Sequence, residues 1–179
     1  MSRRVGAGIS LDDETVERYA RQIIVPEIGA AGQAKLLAAT VAVFGHPLGV
    51  GAARAYLTAA GIRVVTAPFG ETADCLVLAD VRGPTYEREM PPCSVDTPIV
   101  WYEIRGPILA SGVATRGTLP RFASNDAYAD GMEDPCTIIA HRIAASDAAG
   151  LAVAAILGWV ACGERHELRL DPRWTHTPT

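Results

Sequence analysis

The residues best placed to do chemistry cluster in Val41 to Ile62, VAVFGHPLGVGAARAYLTAAGI. An apolar run, a glycine-bearing turn and an alanine-rich run read as strand, turn and helix. Phosphate sites begin in that order, because the N–H groups of a tight turn and of the following helix end can point at one anion. Gly45, Gly49 and Gly51 would let a ligand approach the backbone, whereas Pro47 has no N–H to give and Leu48 puts a side chain in the middle of the turn. His46 could contact a ligand or cap the helix that follows; a lone histidine without paired ligands is more often structural than a metal ligand or a base. Asp80, after CLVLA, and Glu103 with Arg105, in WYEIR, stand at strand ends, where open α/β sheets place ligands. They are candidate ligand-binding residues, Arg105 as an anion contact, with Trp101 and Tyr102 as pocket wall or packing.

No metal or redox centre is indicated. Cys75, Cys93, Cys136 and Cys162 contain no C-x-x-C pair, so neither a zinc site nor a disulfide framework follows, and a reducing cytoplasm is the simple expectation. Nothing around Cys136 predicts a lowered thiol pKa, so an inert thiol is expected there.

The elements that must position these residues form an α/β order. Residues 1–11 read as a loose tail. LDDETVERYARQI opens with acidic residues suited to a helix start and carries Val16, Tyr19, Ala20 and Ile23 at helical spacing. EIGAAGQAKLLAAT gives a second helix that stops before Thr40, and VAVFG is a strand apolar enough to be buried on both faces. A helix over Ala52–Ala60 closes at Gly61. IRVVTA, DCLVLAD, TPIVWYEI, GPILASGVAT and HELRLDP read as further strands, and the alanine-rich run ending near Gly163 as the last helix. LPRFASNDAYADGMEDP is a polar, turn-rich loop.

Between Thr66 and Asp74 lie seven residues, fewer than a helical crossover takes. Extended, they reach about 23 Å, enough to join two strands of one sheet without a covering helix.

The chain has 179 residues, 49% of them hydrophobic and 20% charged, with a net charge of −4. One domain spanning 12–171 is expected, with a second tail at 172–179 and no electrostatic reason to bind nucleic acid or an anionic membrane. Lys35 is the only lysine among 16 basic residues, a bias that weakens any argument from arginine to phosphate, for Arg116 and Arg121 as well. Arg3 and Arg4 precede an acidic stretch, unlike a signal peptide. Residues 138–160 contain His141, Arg142 and Asp147 and fit a buried helix better than a membrane span.

RYARQIIVPEIGAAGQAKLLAATVAVFG resembles the start of the ThiF/MoeB/HesA family, E1-like enzymes that adenylate the C-terminal carboxylate of a ubiquitin-like sulfur carrier. The likeness is close over Arg18 to Ile62. It rests on R-Y-x-R-Q (Arg18, Tyr19, Arg21, Gln22), P-E-I-G (Pro26 to Gly29), G-Q-x-K-L (Gly32 to Leu36) and Y-L-x-x-A-G (Tyr56 to Gly61), and continues, thinner but collinear, through ADCLVLAD and TPIVWYEIRGPI. It implies a Rossmann-like three-layer α/β fold with a mostly parallel sheet, trimmed after the second strand and preceded by N-terminal helices.

The resemblance also implies what is lost. The family cradles nucleotide phosphates with G-x-G-G-x-G; Gly45 matches the first glycine, but Pro47, Leu48 and Val50 fall where the other three belong, and Gly49 and Gly51 are each one place off. Pro68 and Gly70, around Phe69, occupy the places of the ribose-binding aspartate pair, and the segment that neutralises the triphosphate would fall in the missing crossover. Val81 occupies the place of the magnesium-binding aspartate, with Asp80 beside it. Neither ATP nor magnesium is expected to bind, and no residue is assigned a catalytic role.

Arg21 corresponds to the arginine that family dimers insert into the partner's ATP site; otherwise its helix serves dimer packing and Arg21 a surface salt bridge. The resemblance thus implies a non-catalytic E1-like pseudoenzyme, a scaffold or partner subunit in carrier-protein, peptide or sulfur-transfer biosynthesis. It would be a homodimer or a heterodimer with an active E1-like protein, with a ubiquitin-like carrier or peptide as a further partner. The alternatives are an adenylyltransferase completed by a partner subunit, or a small-molecule enzyme that reuses the altered pocket near Gly45, Asp80 and Glu103.

Overall fold

The structure, a computed structural model, describes residues 11–66, 72–81, 90–91, 93–105, 108–122 and 135–169. The tails at 1–10 and 170–179, residues 67–71 of the short connection and most of the polar loop at 123–134 lie outside the described residues. In chain order the elements are α1 (Asp13–Ile23), α2 (Gly29–Ala38), β1 (Thr40–Gly45), α3 (Pro47–Ala59), β2 (Arg63–Val65), β3 (Cys75–Ala79), β4 (Ile99–Arg105), β5 (Ile108–Ala114), α4 (Pro135–Leu157) and β6 (Arg165–Arg169).

The strands form one sheet in the order β2-β1-β3-β4-β5-β6. The first four in that order are mutually parallel, and β5 and β6 are added antiparallel. This is the mostly parallel, Rossmann-like α/β fold expected. Cys75 to Ala79 are all buried, in keeping with an unbroken apolar strand covered on both faces.

α2, α3 and α4 cover one face, where Leu36, Val41, Leu57, Val77 and Val100 pack against a run of alanines on α4. Ala144, Ala145, Ala148, Ala149 and Ala152 let that helix lie close to the strands. The other face is built on Leu76, Leu78, Ile99 and Trp101, and among the described residues it is closed by Val81, Met90 and Phe122 from connecting segments rather than by a helix.

The short connection after β2 has a simple geometry. β2 and β3 both pair with β1, so the chain from Val65 to Cys75 crosses over a single strand, a lateral distance of about 10 Å. Asp74 then fastens the start of β3 to β1: its carboxylate accepts the Thr40 N–H at 2.8 Å, and its own N–H donates to Thr40 O at 2.8 Å.

α3 starts earlier than the sequence suggests, at Pro47 instead of Ala52. Proline is unfavourable inside a helix but suited to its first position, where no intrahelical N–H bond is required and the fixed φ is already helical. Val50 N–H donates to His46 O at 2.9 Å, closing the first turn.

The two N-terminal helices are held to the far end of α3. Asp12 caps α1, accepting the Thr15 N–H at 2.8 Å. Gln22 and Gln33, both from the motifs that carry the family resemblance, donate their side-chain amides to Ala59 O at 3.2 Å and Ala60 O at 3.0 Å. They satisfy carbonyls that the end of α3 would otherwise leave open. Gly61 turns the chain there with φ +91°, and a Cβ would lie 3.0 Å from Leu37 and from Tyr19. α4 is long and apolar enough to cross a membrane by composition alone, yet it packs along α3 and the sheet.

Gln33 is fully buried, so Gln33→Ala removes a cap and leaves a carbonyl without its partner. It is expected to lower the unfolding free energy by about 1–3 kcal/mol in urea denaturation, whereas Gln22→Ala, nearer solvent, should cost less than about 1 kcal/mol. Equal effects would show that the buried amide is not what holds α1 and α2 to α3.

Candidate functional site

The C-terminal ends of β1, β3 and β4 are the place where this architecture puts ligands. Gly45 ends β1 with φ +131°, and a Cβ there would stand 2.1 Å from Ala79 O, so only glycine fits. The next residue, His46, donates its N–H to Ala79 O at 2.7 Å and has the extended backbone of a helix cap (φ −62°, ψ 132°). One residue therefore links strand to helix. The glycine loop expected from 45 to 51 does not exist as a loop, because Pro47 to Gly51 are already helical.

The space under the first turn of α3 is occupied by Tyr102, projected from β4. A Cβ at Gly49 would lie 1.8 Å from the Tyr102 hydroxyl and 3.0 Å from Ala79 Cβ. Gly49 thus lets a phenol, not a phosphate, approach the helix.

The Tyr102 hydroxyl lies 3.3 Å from Nδ1 of His141 on α4. The His141 ring stacks on His46 with centroids 4.3 Å apart and an interplanar angle of 10°. Asp80 follows β3 at φ +50°, accepts the Ile104 N–H on Oδ1 at 3.0 Å, and places Oδ2 3.8 Å from His141 Nε2. Its own N–H donates to Tyr102 O at 3.0 Å.

Asp80, Tyr102, His141 and His46 thus form one connected polar cluster, with the first three buried. Burial, with the Asp80 charge adding to it, pushes the Tyr102 phenol above its ordinary value, so the hydroxyl stays neutral. A cluster of this kind consolidates the sheet end. A nucleotide with magnesium does not fit it: residues 47–51 are helix rather than a glycine loop, the proline at the helix start offers no N–H, and the Asp80 side chain is fully buried and engaged with backbone.

The other expected residues are not brought together. Glu103 and Arg105 alternate with Tyr102 and Ile104 along β4 and so face the opposite side of the sheet from the cluster. There Arg105 Nη2 meets Glu103 Oε2 at 2.6 Å, with Glu103 7% and Arg105 48% exposed. The hydrogen bond from that carboxylate raises the guanidinium pKa further above its usual value. Pro47, Leu48 and Gly51 line a groove of about 430 Å³ between α3 and α4, with Tyr56 and Arg142 on its walls. Arg21 is exposed in the last turn of α1.

Trp101 packs edge-on to Phe122, with Arg165 over its ring, as part of the second core. Cys136 lies in the first turn of α4, and its side chain is outside the described residues. No three His, Cys, Asp or Glu side chains converge as a metal-binding group among the described residues.

His141 was not foreseen as a member of the site. The sequence signal was present: a histidine inside a long alanine-rich helix must find a polar partner when that helix is buried.

The comparisons with known proteins agree on the fold. The solved structure of PaaA superposes with a TM-score of 0.62 at 15% identity, covering 96% of this chain and 75% of PaaA. MccB of E. coli solved with MccA-N7isoASN gives 0.55 at 12% identity over 86% of this chain and 72% of MccB. MccB alone gives 0.52 at 12% identity over 89% and 71%. At these identities the likeness shows the fold alone. No protein-family model matches the chain, and no curated protein matches it by sequence.

Two outcomes follow from the cluster. Gly49→Ala should destabilise by about 1–3 kcal/mol through overpacking. The double variant Gly49→Ala/Tyr102→Phe should be more stable than the sum of the singles by at least about 1 kcal/mol, because removing the hydroxyl makes room for the methyl group; strict additivity would refute the contact.

Alkaline pH should weaken the fold. The buried Cys75 thiol is pushed from 9.0 up to about 12, and Tyr102 shifts in the same direction. Both are neutral when folded, so their contribution is intact below about pH 9; the Cys75 part is lost as pH rises from there toward 12, and the Tyr102 part from about pH 10 upward. The loss is about 1.4 kcal/mol per pH unit per group, read as a falling thermal midpoint. A midpoint that is flat between pH 8 and 11 would contradict it.

Proposed function

We propose that this chain is an E1-like protein without adenylation chemistry of its own, which serves as a scaffold or partner subunit in carrier-protein, peptide or sulfur-transfer biosynthesis. The observation that carries the reading is the helix start itself: Pro47 to Gly51 are already helical with Pro47 at the first position, so no glycine loop with free N–H groups remains to wrap a phosphate. The motifs between Arg18 and Ile62 support the E1-like part, and the fold neighbours PaaA and MccB are consistent with it. MccB, solved with MccA-N7isoASN, is a protein of this fold seen with such a molecule and favours a peptide or small-protein partner here. Cys75, Cys93 and Cys162 are free thiols, which suits a reducing cytoplasm.

A second reading has its own observation. Arg21 is exposed and makes no ion pair with a described residue, so its guanidinium is available to a partner's phosphate site. On that reading the chain completes the active site of an E1-like subunit while its own stays closed.

The purified chain alone is expected to give no magnesium-dependent ATP–pyrophosphate exchange and no rise in thermal midpoint with about 1 mM MgATP, since a ligand stabilises only the state that binds it. Exchange above background would overturn the proposal. Co-purification with an active E1-like subunit that is lost in Arg21→Ala would select the second reading.

A further inference from the structure

The antiparallel end of the sheet carries a second hollow, one strand beyond Tyr102 and sharing no lining residue with the cluster around it. It is a cleft of about 440 Å³ between α4 and the strands β5 and β6, a size suited to a small organic ligand. Leu109, Leu168 and Ile143 give it apolar walls. Leu168 is 52% exposed, so the apolar surface there is still open to a guest.

Three polar side chains meet on one side of this cleft. Ser111 is buried, and its hydroxyl donates to Oδ2 of Asp147 on α4. Asp147 forms no ion pair with a described residue, and its Oδ1 meets no described donor. His166 stands directly across from Ser111 in the β5–β6 pairing, so the two side chains project from the same face with Cβ atoms about 5 Å apart.

The chemistry of these groups selects a class of ligand. Because the Ser111 proton is engaged by Asp147, the serine oxygen, Asp147 Oδ1 and the free nitrogen of a neutral His166 ring are all acceptors. No arginine or lysine lines the cleft. The Glu167 side chain alternates to the opposite face, where Arg165 meets it at 3.9 Å, which leaves Asp147 as the one negative charge on this side. An anionic guest would find repulsion and no charged donor. A guest with one positive charge, several N–H donors at its head and an apolar body matches both the acceptors and the walls. A primary ammonium has that head, whereas a quaternary ammonium has the charge without the donors.

We propose that the cleft between α4 and β6 binds a primary ammonium carried on an apolar stem, with Asp147 as its counter-ion and Ser111 holding the carboxylate in place. The site is separate from the helix start at Pro47, and the proposal stands whether or not the chain binds ATP. A free arylalkylamine and the N-terminus of a peptide that begins with an aromatic residue present the same chemistry.

An amide chemical-shift titration of the whole chain at neutral pH with phenethylamine should show saturable shifts at Ser111, Asp147 and His166, with a dissociation constant of about 1 mM or tighter. Phenylethanol, which lacks the charge, and phenethyltrimethylammonium, which lacks the donors, should each bind at least about fivefold more weakly. Asp147→Asn keeps an acceptor for Ser111 and removes only the charge; it should weaken phenethylamine at least about fivefold and leave phenylethanol unchanged. Asp147 is exposed, so the variant should melt as wild type does. Phe-Gly-Gly amide binding more tightly than phenethylamine would assign the site to peptide N-termini, the reverse order would assign it to free amines, and N-acetylation should abolish the peptide's binding in either case. Absence of saturation up to about 10 mM phenethylamine, equal affinity for the amine and the alcohol, or an Asp147→Asn variant that binds the amine as wild type does would each overturn the proposal.

Discussion

The contact between the Tyr102 hydroxyl and the backbone of Gly49 organises the centre of this molecule. It requires glycine at 49, because any side chain would occupy the position of the phenol oxygen. It sets how closely the start of α3 can lie against the sheet, and it places Tyr102 where His141 can reach it from α4. Around it the strand ends close on one another: Gly45 fits against Ala79, His46 bonds to the same carbonyl, and Asp80 turns back to the chain of β4. Within the cluster the Tyr102–His141 contact and the Asp80 bond to the Ile104 N–H tie β3, β4 and α4 together.

The same closure gives the glycines of the helix start a different meaning. In a phosphate site, glycine admits a ligand to the backbone. In this chain Gly45 admits the neighbouring strand and Gly49 admits a tyrosine from two strands away. The order of strand, tight link and helix is that of the fold, and both glycines serve its internal packing.

Much of the fold was readable because its signals are local. The apolar runs at VAVFG and CLVLA and the acidic start of α1 all lie within a few residues of the structure they specify. The start of α3 was misread because Pro47 looks like an obstruction in a turn and is instead the first residue of a helix. The cluster was only partly readable, since Gly49, Asp80, Tyr102 and His141 come from four separated segments, and Tyr102 and His141 lie 39 residues apart. Nothing in local periodicity announces which buried phenol will meet which imidazole. Asp80 and Glu103 both stand at strand ends in the sequence, but the alternation of β4 sends Glu103 to the other side of the sheet.

The two faces of the sheet differ in what covers them, one bearing three helices and the other, among the described residues, only connecting segments. A helix leaves a sheet as a cooperative unit, whereas a connecting segment can lift residue by residue. Amide protons behind Leu36 and Leu57 should therefore exchange only with global unfolding, and those beneath Met90 and Phe122 through smaller local openings. Among the described residues, then, the face under α2, α3 and α4 is closed by cooperative units and the opposite face by shorter segments.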